Sequence, residues 1–242
     1  MKMSYLSKLA AVAALAAIIP TAAAALAETS GTEESGGIWL TRFQETSQGN
    51  IIMGNPDAPV KLIEYASYTC GHCAAFEANE APRLEKEKIA EGSVSFEIRS
   101  LVRDPVDLTL AMLARCGGKD LFFGNHRLLM TNQGAILQKA GAISAATTDK
   151  LKTRDFVGLM SGIYDEMKLG EWMQQRGIGE DQAKKCLSNA PALNNLLTIS
   201  SAAGPTYNIQ ATPSFIVNEK LAAGAHDYNS LRPLLIAPAS AK

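Results

Sequence analysis

Residues 63–77 read IEYASYTCGHCAAFE, and the fold and chemistry of the chain turn on this stretch. An apolar run ends at two cysteines, Cys70 and Cys73, with Gly71 and His72 between them. The segment VKLIEYAS (60–67) carries β-branched and aromatic residues, which predicts a strand. CAAFEANEAPRLEKEKIAEG (73–92) has helical composition, stops at Gly92 and holds Pro82, which predicts a kinked helix. SVSFEIRSLV (93–102) alternates Val94, Phe96 and Ile98 with polar neighbours and predicts a second strand. Strand, helix and parallel strand make a right-handed crossover. The cysteines fall where its first strand passes into the helix.

That placement separates the uses of a Cys-X-X-Cys pair. A structural zinc site needs four ligands, yet Cys116 and Cys186 are isolated and His126 and His226 have no matching spacing. A metal-binding or delivery module built on Cys70, His72 and Cys73 is therefore the secondary reading, and no metal or cofactor is expected. A purely structural staple is disfavoured, because closing so short a loop constrains the unfolded chain little. Reactivity fits better. A thiol at a helix start meets unpaired N–H groups and the positive end of the helix dipole, which favour thiolate and bring thiol pKa values to roughly 3.5–7.5. A stabilised thiolate makes the disulfide a stronger oxidant. Cys70, at the exposed helix start, is expected to exchange with a partner, and Cys73, one turn in, to resolve the mixed disulfide. His72 adds a charge or hydrogen bond to the thiolate. Glu64, between Ile63 and Tyr65, places a charge in a strand bound for the core, which is costly without a purpose. A proton relay to Cys73 is the functional reading, and a strand-end acid facing solvent the bland one.

The rest of the chain frames this unit. Lys2 and Lys8, the alanine-rich run of residues 9–27 and the small-residue pattern Ala25-Leu26-Ala27 predict a signal peptide (1–27) cleaved after Ala27. Export implies a compartment where disulfides persist. Residues 28–49, rich in Ser, Thr, Glu and Gly with Trp39 and Phe43 as anchors, predict a loosely held arm, and NIIMG (50–54) a strand. DPVDLTLAMLARCGG begins a helical block: Asp104 as N-cap, Pro105 in the first turn, Gly117-Gly118 as the stop. Helices are expected at about 119–132, 134–146, 153–169, 179–188 and 190–203, the third of these with Phe156, Leu159, Met160, Ile163 and Met167 on one face. FIVN and KLAAG then flank a turn at Asn218-Glu219, and a helix at about 227–236 follows. The organisation is an α/β sheet domain in two parts, 50–103 and 190–242, with a helical domain, 104–189, inserted. A net charge of −1 with scattered basic residues excludes a nucleic-acid footprint. Cys116 and Cys186 are either two buried thiols or one disulfide; export favours the disulfide, which by chain entropy contributes up to roughly 4 kcal/mol. Locally, Thr212-Pro213 is expected to be trans, as most X-Pro bonds are.

Taken together, VKLIEYASYTCGHCAAFE, the inserted helical block and TYNIQATPSFIVN resemble the thioredoxin superfamily, and within it the DsbA-like thiol-disulfide oxidoreductases, over about residues 50–236. The resemblance implies a thioredoxin fold and a cis peptide at Thr212-Pro213 beside the cysteine pair. It also implies that the Thr212 backbone pairs with substrate, and that Glu64 is the family's buried acid. Gly71-His72 departs from the Pro-His of the best-known oxidases of the family, and Thr212 from their frequent Val. The expected function is a monomeric dithiol oxidase of reduced exported proteins in the periplasm, recharged by a membrane quinone-linked partner. Isomerase or reductase is the alternative. Only 32 residues separate Glu28 from Val60, too few for the dimerisation domain of the dimeric isomerases. Some DsbA-like proteins also have a second cysteine pair in the helical block.

Overall fold

The computed structural model describes residues 37–237, so the expected signal peptide and the start of the expected arm lie outside the described residues. The strands are β1 (Phe43–Glu45), β2 (Ile51–Gly54), β3 (Val60–Ala66), β4 (Val94–Ser100), β5 (Ser214–Val217) and β6 (Lys220–Leu221). They form one sheet in the order β1-β2-β4-β3-β5-β6. Only β3 and β4 run parallel, as a crossover through a helix requires; the other pairs are antiparallel.

Between β3 and β4 the chain forms α1 (Gly71–Asn79), α2 (Ala81–Leu84) and a π turn over Glu85–Ile89. The expected kink is a break at Glu80. Pro82 has no N–H to offer the carbonyl of Ala78, so a new helix starts around it, and Ala90 N–H reaches back to Glu85 at 2.8 Å. The helical domain holds α3 (Pro105–Ala114), α4 (Lys119–Thr131), α5 (Gln133–Leu137), α6 (Ala145–Thr148), α7 (Phe156–Glu166), α8 (Gly170–Met173) and α9 (Glu180–Leu187). Leu159, Met160, Ile163 and Met167 are buried and Phe156 packs at the margin, as their helical spacing predicts. The Cys116–Cys186 disulfide joins the segment after α3 to α9, across a sequence separation of 70. Helices α10 (Ala190–Tyr207) and α11 (Tyr228–Leu231) flank the last strands.

Four boundaries differ from the sequence reading. The arm is not loose where it is described. Residues 43–45 are the edge strand, Phe43 stacks on Phe123 at 5.6 Å, and Trp39 packs so tightly on Gly92 that a Cβ there would lie 2.8 Å from its indole nitrogen. The helix expected over 134–146 stops at Leu137 and resumes at Ala145, where the Ser144 side chain caps the new turn. Helix α10 continues past Gly204 and Pro205 to Tyr207, because Ala203 and Tyr207 pack on Tyr65 of the sheet and Asn208 closes the helix in the left-handed conformation. The last helix shortens to α11 plus a 3-10 turn containing Pro233.

The strand period sorts the residues of β3. Leu62 and Ala66 belong to the cluster shared with α1 and the helical domain, whereas Tyr65 packs under α10 with Ile199 and Ile216. Glu64, in register with Leu62 and Ala66, therefore sits on the α1 side.

Candidate active site

Cys70 is the N-cap of α1, with extended backbone (φ −97°, ψ 115°), and Cys73 lies in the first turn. The sequence reading placed Cys70 on an exposed helix start. In the structure Gly71 and His72 are exposed, but Cys70 is only 6% exposed and Cys73 1%. The difference comes from Thr212, whose carbonyl oxygen lies 3.2 Å from Cys70 Sγ. The Thr212-Pro213 peptide is cis, unlike the local expectation and as the family resemblance implies.

The two thiols are pushed apart. Burial works against the Cys70 thiolate, but the Thr212 hydroxyl, the backbone N–H of Cys73, the Cys73 thiol and the backbone N–H of His72 donate to it, and the pKa falls below that of an ordinary thiol. Thr212 thus offers its carbonyl to the thiol and its hydroxyl to the thiolate. Cys73 moves the other way: burial raises its pKa strongly, and the negative charge of Glu64 adds to the rise. Glu64 is 2% exposed and its Oε2 has no hydrogen-bond partner among the described residues. Burial, then the charges of Glu77 and Cys70, hold its pKa well above the usual carboxylate range. At neutral pH the pair comprises an acidic outer sulfur and a protonated inner one beside a carboxyl that favours its proton.

A polar scaffold that the sequence reading did not assign to the site holds the loop before Cys70. Asp107, in the first turn of α3, is buried and accepts from Tyr68 N–H at 2.7 Å, Ser67 hydroxyl at 2.6 Å and Arg103 N–H at 3.0 Å. Burial nevertheless raises its pKa to about 6. Asp104 caps α3 through Asp107 N–H and also accepts from Thr69 hydroxyl at 2.6 Å. Gln133 of α5 donates to the carbonyls of Tyr68 and Cys70 at 2.9 and 3.0 Å. Under α1, Glu77 stands 3.5 Å from His126 and 2.9 Å from Arg127, and His126 Nδ1 meets the Tyr68 hydroxyl at 2.9 Å. Despite burial, His126 and Arg127 keep the Glu77 pKa low. Polar residues on helices are ordinary at sequence level; a buried partner in a distant segment is what distinguishes these, and one sequence does not show it.

Beside Cys70 a groove of about 560 Å³ is lined by His72, Phe76, Glu80, Thr212, Pro213 and His226. Gly71 faces open space, and a Cβ there would meet no atom within 4 Å. Among the described residues no three His, Cys, Asp or Glu side chains are grouped as metal ligands would be, and no helix is long and apolar enough to cross a membrane.

The geometry has relatives. A family model described as thioredoxin matches residues 46–236. A protein named putative protein-disulfide oxidoreductase from Rickettsia bellii is 26% identical over 172 residues, covering 71% of this chain and 58% of that one. The chain thus spans little more than half the length of the curated relatives it matches first. The crystal structure of a protein-disulfide isomerase from Novosphingobium aromaticivorans superposes with a TM-score of 0.70 at 32% identity, covering 76% of this chain and 94% of that one. That of Wolbachia pipientis alpha-DsbA1 superposes with a TM-score of 0.60 at 21% identity, covering 77% and 88%. The chain belongs to the thioredoxin family, and its fold is that of the DsbA-like members.

Proposed function

We propose that the chain is a protein dithiol-disulfide oxidoreductase that donates the Cys70–Cys73 disulfide to reduced client proteins. One observation carries the reading: two sulfurs on one helical turn have acidities shifted in opposite directions. A client thiolate attacks Cys70 Sγ of the oxidised pair, and the Cys73 sulfur leaves. Cys73 takes a proton as it leaves, and Glu64, held protonated by burial, stands ready to supply it. A second client thiolate then attacks the client sulfur of the mixed disulfide, and Cys70 departs as the stabilised thiolate. His72 N–H steadies that thiolate, and the Thr212 backbone, beside cis-Pro213, pairs with the client chain. By this reading the clients are exported proteins, the N-terminal segment is a signal peptide cleaved after Ala27, and the compartment is the periplasm. A membrane quinone-linked partner restores the disulfide, and the protein acts as a monomer.

The relative named a protein-disulfide isomerase supports a second reading, isomerisation by the same sulfurs. Oxidation is preferred because stabilising the Cys70 thiolate stabilises the reduced enzyme. The test is to mix the oxidised protein with a reduced two-cysteine peptide and, separately, with a scrambled disulfide substrate. Stoichiometric peptide oxidation with little unscrambling is expected. Unscrambling by the reduced protein without peptide oxidation would assign isomerisation instead, and a Cys70 thiol titrating near 8.5 would remove the mechanism.

A further inference from the structure

A second cavity, of about 410 Å³, lies between the β1–β2 turn, the end of α3 and the start of α10. Arg115, Glu45, Gln48, Asn189, Asn195 and Cys186 contribute to its wall. Two features make it more than a gap. Its cation and its anion have no ionic partner: among the described residues neither Arg115 nor Glu45 forms an ion pair, and the guanidinium is held by neutral groups, Ser100 hydroxyl at 3.2 Å and Ala111 carbonyl at 3.0 Å, both through Nη1, and the face of the Phe122 ring at 5.6 Å. Its wall also contains one sulfur of the Cys116–Cys186 disulfide, the half-buried Cys186, while Cys116 is 1% exposed.

A cavity with one free positive charge, one free negative charge, carboxamides and a disulfide sulfur complements a small thiol that carries both a carboxylate and an ammonium group. We propose that this cavity binds an amino-acid-type thiol and that Cys186 is the sulfur it attacks. The thiol's carboxylate faces Arg115 and its ammonium faces Glu45. Its thiolate forms a bond to Cys186 Sγ, the Cys116–Cys186 bond breaks with its electron pair leaving on Cys116, and the proton lost by the incoming thiol ends on Cys116. The products are a mixed disulfide at Cys186 and one thiol at Cys116. That thiol has an acceptor waiting, because Cys116 Sγ lies 3.6 Å from the Gln182 carbonyl oxygen, a contact useless to a disulfide and useful to an S–H. The direction of exchange follows from burial: an attack at Cys116 would have to pass through the core of the helical domain.

The experiment uses the full folded chain and three probes, L-cysteine, N-acetylcysteine without the ammonium, and cysteine methyl ester without the carboxylate, compared at equal thiolate concentration. Peptide mapping by mass spectrometry reads the site of addition and its rate, with adducts at Cys70 and Cys73 counted separately. Cysteine should add at Cys186 about fivefold faster than either analogue, the gain of one well-placed ion pair. Arg115→Gln should erase the advantage over the methyl ester only. Glu45→Gln, a change on an exposed edge-strand residue, should erase the advantage over N-acetylcysteine only, and it keeps the test alive if the Arg115 variant folds poorly. Equal rates for the three probes, addition at Cys116, or addition only after the chain is unfolded overturns the proposal.

Discussion

Replacing Glu64 by Gln isolates the least stable-looking feature of the fold, a carboxyl at 2% exposure with an unpartnered oxygen in the strand beneath the cysteine pair. Burial is the largest cause of its raised pKa, followed by the charges of Glu77 and Cys70. The folded protein therefore holds the Glu64 proton over a pH window in which the unfolded chain has already released it. Below about pH 4.3 both forms are protonated and the group contributes nothing to pH dependence. Above that, the folded state binds more protons than the unfolded one, so stability falls as pH rises, by at most about 1.4 kcal/mol per unit, until Glu64 ionises in the folded state as well. The Glu64→Gln variant, with an amide that does not titrate, has no such window.

The stability difference between Glu64→Gln and the parent should accordingly be small near pH 4, open steadily in favour of the variant through the weakly acidic range, and then level off. Asp107, whose pKa is raised to about 6, loses stability over its own window, but it does so in both proteins and cancels from the difference. Guanidinium denaturation of the reduced proteins at a series of pH values measures the gap. A difference independent of pH would falsify the claim that Glu64 is buried with its proton. The same variant should lose client oxidation rate although it gains stability, since the leaving Cys73 sulfur then lacks its proton donor.

Asp107→Ala should destabilise the fold by roughly 2–4 kcal/mol, because Tyr68 N–H and the Ser67 hydroxyl lose a buried acceptor; a denaturation midpoint unchanged within error would deny that this carboxylate holds the loop. Replacing both Cys116 and Cys186 by Ser should cost up to about 4 kcal/mol by chain entropy for a separation of 70 residues, and less if the unfolded chain retains structure there. Thermal and chemical denaturation of the double variant check this. Gly71→Pro should raise stability by about 0.4–1 kcal/mol, because position 71 opens the helix and has open space around it. It should leave the Cys70 thiolate as acidic as before, since the N–H groups that donate to it belong to His72 and Cys73; absorbance titration of the thiolate decides, and a large rise in pKa contradicts the assignment.

The sequence exposed the sheet domain well because its signals are local. The run ending at Ala66, the helix opening at Gly71, the alternation of Val94, Phe96 and Ile98 and the turn at Asn218-Glu219 each need only neighbouring residues to be read. It was weaker where tertiary packing overrides a local stop. Gly204 and Pro205 look like the end of a helix, yet burial of Ala203 and the tilted contact of the Tyr207 ring with Tyr65 hold one more turn. The residues of the candidate site were legible, since two cysteines on one turn and an acid in an apolar strand are conspicuous. Their supports were not. Asp107 and Gln133 reach the Cys70 loop from 39 and 63 residues away, and His126 meets Tyr68 across 58. Hydrogen-bonding residues on amphipathic helices carry no mark of the loop they will meet.

The contrast between the two sulfurs shows which physical effect decides their roles. Both are buried, and both receive backbone N–H groups, Cys70 from His72 and Cys73, and Cys73 from Ser67. A helix start therefore does not by itself make a thiol acidic. At Cys70 burial is the largest single effect, but several donors together outweigh it, so hydrogen bonding wins; Cys73 is more deeply enclosed and faces Glu64, so desolvation and like charge win. The charge beneath them is managed by the inserted helices. His126 and Arg127 of α4 absorb the charge of Glu77, which would otherwise press harder on Glu64, and Gln133 of α5 holds the carbonyl of Cys70 itself. The helical domain thus helps set both the charge and the backbone position around the cysteine pair. A His126→Ala variant, by freeing the Glu77 charge, should raise the Glu64 pKa further and shift the alkaline limb of client oxidation, where Glu64 gives up its proton, toward higher pH.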